Sequence, residues 1–95
     1  MANAQIELKF AKDVTSLAGY PYGEHTFNEC VKDKINYGEE VTLIFPNHIE
    51  RIASSFVQGF FSEIKCKIGI HGIEKYFKIM ASSDRLIDSI FRNLR

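Results

Sequence analysis

The stretch VTLIFPNHIERIASSFVQGFF, residues 41–61, places a run rich in β-branched residues before an apolar helix pattern, with a proline and a short polar connection between them. Val41 to Phe45 is apolar except for Thr42, a pattern that predicts an interior strand covered on both faces. Pro46, which has no N–H to donate, ends its ladder. Beyond the connection, Val57, Phe60, Phe61, Ile64 and Ile68 recur three and four apart, which predicts a helix from Ser54 or Ser55 to Ile68. A serine directly before such a helix is in the first place a cap, and Ser55 with Gln58 has the capping-box spacing. The same free N–H groups and positive dipole end would also favour a phosphate on one of these hydroxyls, so cap and phospho-switch both remain open.

Outward from this core, Ile6, Leu8 and Phe10 alternate with Glu7 and Lys9, the period of a half-buried strand. Residues 15–25, TSLAGYPYGEH, hold Gly19, Pro21 and Gly23 within five positions and read as a loop. A helix is expected from about Glu24 to Ile35, with Phe27, Cys30, Val31 and Ile35 on one stripe. Its start is either a Thr26–Glu29 capping box or Gly23, and Asn36 to Gly38 ends it. After breaks at Gly69 and Gly72, EKYFKIMAS (74–82) reads as a strand with Tyr76, Lys78 and Met80 on one side and Phe77 and Ile79 on the other. The final stretch SSDRLIDSIFRNLR (82–95) predicts a serine-capped helix with Asp84 in its first turn, and Arg92 and Arg95 near its end. Strand, helix, strand, helix, strand, helix is the order of an α/β domain with a mainly parallel or mixed sheet packed by helices. No repeat is visible in the residue identities.

The 95 residues fit one domain, 1–95, with 45% apolar residues for a core and eight Phe to pack it. Twelve basic and twelve acidic residues balance, so no net field draws the chain to nucleic acid or to an anionic membrane. Lys65, Lys67, Lys75 and Lys78 around Tyr76 and Phe77 read as a solvated face beside core aromatics. No apolar run reaches the roughly 18 residues of a membrane helix, and the first residues lack the pattern of a signal peptide. The expectation is a cytoplasmic chain with reduced thiols, Cys30 and Cys66 being core residues.

Catalytic chemistry finds little support. His25, His48 and His71 are isolated in sequence, and no zinc-binding spacing, nucleophile elbow or phosphate loop occurs. The expectation is a non-enzyme without metal or cofactor. An enzyme reading would require a pocket that brings one of these histidines to a carboxylate such as Glu50.

The strand VTLIF, the connection PNHIER and the helix start IASSFV together resemble the core of STAS domains, typified by bacterial anti-sigma factor antagonists. ASSFVQGFFSEI is closer still to the STAS-like domains of unknown function, in which the motif ends Ser-Ser-Phe, and the likeness extends loosely from Ile6 to Leu94. In the antagonists, a histidine-kinase-like ATPase phosphorylates a serine of an Asp-Ser-Ser-Gly motif and releases the partner. The resemblance therefore implies a regulatory, protein-binding domain, with Ser55 ahead of Ser54 as phosphoacceptor and a kinase of that class or an anti-sigma-type regulator as partner. Ala53 and Phe56 stand where the antagonists carry Asp and Gly. The expected partner surface contains Asn47, His48, Ala53 and Phe56, with Phe56 either an exposed aromatic anchor or buried beneath the third helix. The alternative is a binding or structural module without phosphorylation, Ser54 and Ser55 serving only as a helix cap.

Overall fold

The computed structural model describes residues 3–94, so Arg95 of the expected helix-terminal pair lies outside the described residues. Three parallel strands form the main sheet in the order β1 (Asn3–Glu7), β3 (Glu40–Ile44), β5 (Phe77–Met80). A second, two-residue parallel pairing joins β2 (Ser16–Leu17) to β4 (Arg51–Ile52). The helices are α1 (Tyr20–Cys30), α2 (Ser54–Phe60), α3 (Ser62–Tyr76) and α4 (Asp84–Asn93), with one 3-10 turn at Lys32–Lys34. The α/β class with a parallel sheet packed by helices is the architecture expected of this pattern. None of these helices is long and apolar enough to cross a membrane.

The apolar run of 41–45 forms the central strand, but it is covered on one face only. Val41, Leu43 and Phe45 join Ile6, Leu8, Phe77 and Ile79 beneath the helices, all buried. The other face carries Gln5, Glu7, Thr42, Ile44, Lys78 and Met80, of which Met80 is 56% exposed. Thr42 is only 8% exposed, because the flanking strands shade it, and Ile44 is half-buried. A continuous apolar run therefore marked the strand's central place in the ladder rather than a second covering layer.

The helices differ from expectation in their bounds. Helix α1 starts at Tyr20, with Pro21 in its first turn, where a missing N–H costs nothing. Gly23 and Thr26 lie inside it: the Thr26 hydroxyl donates to the Tyr22 carbonyl (2.9 Å) instead of opening a capping box. The single helix expected over 54–68 is two, because Phe61 leaves the helical conformation (φ −94°, ψ 5°). Helix α3 continues past the expected stop and resumes after Gly69, whose φ of 73° is suited to glycine. Residues 74–76 are thus helical, and the strand begins only at Phe77. From there the alternation holds, Phe77 and Ile79 inward, Lys78 and Met80 outward. Helix α4 forms as read, the Ser83 hydroxyl oxygen accepting the Leu86 N–H at 3.2 Å.

The aromatic residues of the opening stretch form the centre of the core. Phe56 stacks on Phe60 with ring centres 5.9 Å apart, Phe60 meets Phe61 at 5.0 Å, and Phe61 reaches Phe77 of β5 at 6.2 Å. Cys30 is half-buried, but Cys66 is exposed on α3 rather than in the core.

Candidate functional site

The two serines stand where two strand-to-helix passages lie side by side. Strand β2 leads through Ala18 and Gly19 into α1, and β4 leads through Ala53 into α2. The passages are tied by the Ala53 N–H donating to the Leu17 carbonyl (2.8 Å) and the Glu50 N–H to the Thr15 carbonyl (2.7 Å). Gly19 has φ 104°, a left-handed conformation that favours glycine. Its N–H donates to the Ser55 hydroxyl oxygen at 2.9 Å.

Neither serine caps its own helix. Ala53 occupies the cap position in extended conformation, without a side-chain bond, and Ser54 and Ser55 are the first two helical residues. The capping box is likewise absent, since the Gln58 side chain donates to the Asn93 carbonyl of α4. Spacing alone could not distinguish these outcomes, because Gly19 lies 36 residues from Ser55. Both serines are exposed, and Ala53 is half-buried.

Close approach of α1 and α2 holds the site together. A methyl group at Gly23 would run into the Phe56 carbonyl oxygen and the Phe60 nitrogen, and one at Gly59 into the Tyr20 carbonyl oxygen. The Tyr20 hydroxyl donates to the Ser62 oxygen across this junction (2.9 Å). Tyr20 and Tyr22 are both exposed. Sequence reading placed them in a loop, and the Pro21 between them hid the helix that presents them.

Phe56 is not an exposed anchor. It is 1% exposed, its ring held edge-on by Tyr22 at 5.4 Å and Phe10 at 6.5 Å. As the third residue of α2 it turns inward with Phe60, one helical turn further on. The contact of Phe10 with Tyr22, 6.2 Å between ring centres, continues this aromatic cluster towards the carboxyl ends of β1 and β3. There a shallow groove of about 360 Å³ runs among Glu7, Phe10, Lys12, Ile44, Pro46 and His48, which brings a histidine and a carboxylate to one groove. Asn47 is exposed beside it. The His48 Nε2 lies 3.0 Å from the Ala11 carbonyl oxygen, which can only accept, so Nε2 carries the hydrogen. His48 thus shares a groove with Phe10, whose ring meets Tyr22 in the first turn of α1.

A second groove, about 380 Å³, separates α1 from α3 and is lined by Glu24, Asn28, Lys32, Ser62, Glu63 and Cys66. Lys32 Nζ lies 3.7 Å from Glu63, and the Tyr37 hydroxyl donates to the same carboxylate at 3.5 Å. Burial, followed by the adjacent Glu63 charge and this hydrogen bond, raises the Tyr37 phenol above its ordinary value. The histidines sit on separate elements: His25 on α1, His48 after β3, and His71 on α3 with Nδ1 4.0 Å from Glu74. Among the described residues, no three His, Cys, Asp or Glu side chains gather as a metal site requires.

No family model, curated protein or solved structure matches this chain.

Proposed function

We propose that this chain is a non-catalytic regulatory domain of STAS-like type that binds another protein through the surface around Ser54 and Ser55. A phosphate on Ser55, or on Ser54, switches that contact. The observation behind this reading is that Ser55 is exposed to an incoming kinase while its oxygen holds the Gly19 N–H. Transfer of the ATP γ-phosphoryl group to that oxygen, releasing ADP and a proton, adds close to two negative charges where α1 and α2 begin. The new charge acts on the exposed residues of both first turns, Tyr20 and Tyr22 of α1 and Ser54 of α2. Asn47 and His48 extend the partner surface. Following the resemblance, the partner is a histidine-kinase-like ATPase or an anti-sigma-type regulator.

The test is to incubate the protein with cell lysate and ATP and to search for a phosphate at either serine by mass spectrometry. Pull-downs with Ser55→Asp and Ser55→Ala follow. A phosphopeptide covering residues 54–55, with partner capture altered by Ser55→Asp, is the expected result. No phosphate, with capture the same for both variants, would dismiss the switch.

One observation favours a second reading, a binding module without phosphorylation. The Ser55 oxygen already has a structural task in accepting from Gly19, so the residue works as a clasp between helices rather than as a cap. On this reading Ser55→Ala lowers stability and leaves partner binding per folded molecule unchanged.

A further inference from the structure

All-parallel sheets are nearly always covered on both faces, because their crossover connections put helices there. Here the helices cover one face, and the other presents two rows fixed by the strand register. Gln5, Thr42 and Lys78 form one row; Glu7, Ile44 and Met80 form the next. Among the described residues Met80 is the most exposed of the large apolar ones, at 56%, and it stands beside the half-buried Ile44. The charges lie at opposite corners, Glu7 on the β1 edge and Lys78 on the β5 edge. Neither has an ion-pair partner among the described residues.

We infer that this open sheet face is a self-association surface whose occupant is a second copy of the same chain. The argument is charge complementarity. A two-fold axis lying between two such faces, perpendicular to the line from Glu7 to Lys78, sets Glu7 of each copy over Lys78 of the other. The same operation brings Ile44 and Met80 together across the axis, with the strands of the two sheets crossing steeply. Such an isologous contact closes on itself and stops at the dimer. Lys9 and Glu40, on the same side by strand alternation, fall outside the central rows; Lys9 and Lys12 line the groove at the Glu7 end of the face, both exposed, where a charge stays solvated. Three strands about 4.8 Å apart, two of five residues and one of four, make a face of at most roughly 14 by 16 Å. The association is accordingly weak, of the transient class that buries less than about 1,200 Å² in total.

Sedimentation of the intact chain from micromolar to millimolar concentration tests this, with circular dichroism confirming that each variant is folded. The wild type is expected to approach twice the monomer mass at the high end. Glu7→Lys and Lys78→Glu should each reduce association at least tenfold, and the double exchange should restore it. Independently of any variant, dilution of the wild type should shift the amide resonances of Thr42, Ile44, Lys78 and Met80 more than those of the helices. A chain that stays monomeric, a dimer indifferent to both single changes, a double exchange that fails to restore it, or dilution shifts confined to other elements would each overturn the inference.

Discussion

Ser55 shows how one hydroxyl can belong to a distant part of the chain. Its residue type and its position before an apolar helix were legible, and so was its exposure at the start of that helix. Its partner was not, because capping arguments look only a few residues ahead, whereas the Gly19 N–H arrives from another strand passage. Replacing Ser55 with Ala leaves that N–H to water and should cost about 1 kcal/mol. The melting temperature should fall by roughly 4–8 °C, the shift expected per kcal/mol for a domain of this size, and Ser55→Thr, which keeps the oxygen, should recover most of it. Tyr37 offers a pH measurement. Its phenol is raised in the folded chain, so the folded state holds its proton after the unfolded state has lost it. The stability it contributes is complete below the ordinary tyrosine value of about 10 and is lost as pH rises through the raised one. NMR titration of the Tyr37 ring should place its midpoint above that value, and Glu63→Gln should bring it part of the way back, leaving the part due to burial.

At the scale of elements, periodicity located every long segment and misjudged where helices begin and end. Pro21 read as loop punctuation because proline usually breaks helices, yet in the first turn of α1 it loses no hydrogen bond. Phe61 interrupts a faultless apolar stripe, and side-chain spacing carries no trace of its backbone angles. Strands β2 and β4 are two residues each, too short for alternation to register. The glycines at 23 and 59 raised no packing expectation, since Gly23 read as a loop residue or helix start and Gly59, inside a helix pattern, looks like a weakness. In the fold they are what lets α1 and α2 touch backbone to backbone. On an exposed helix, exchanging Gly for Ala gains about 1 kcal/mol. Gly59→Ala should instead lose about 1–3 kcal/mol through overpacking, read from its urea midpoint against the wild type.

Taken as a whole, the molecule is a single layer of helices on an open sheet, with Phe60 touching Phe27, Phe45, Phe56 and Phe61 at its centre. Phe60→Ala should cost about 3–5 kcal/mol, a large share of what a domain of this size has to lose. Calorimetry should show the transition moved down by well over ten degrees or abolished. The α/β class and the core were readable because burial imposes periods on the sequence. The uncovered face was not, because Thr42 is buried and Ile44 half-buried without a helix over them, and a run of apolar residues reads the same whichever neighbour shades it. The register has one more consequence. Its pairings join positions 3 and 40, 16 and 51, and 41 and 77, each a return of about 36 residues. Among the described residues no hairpin nucleates the sheet locally, so each pairing must first close a long loop. The rate at which this chain folds should therefore be governed by how soon its helices, which form locally, shorten those three searches.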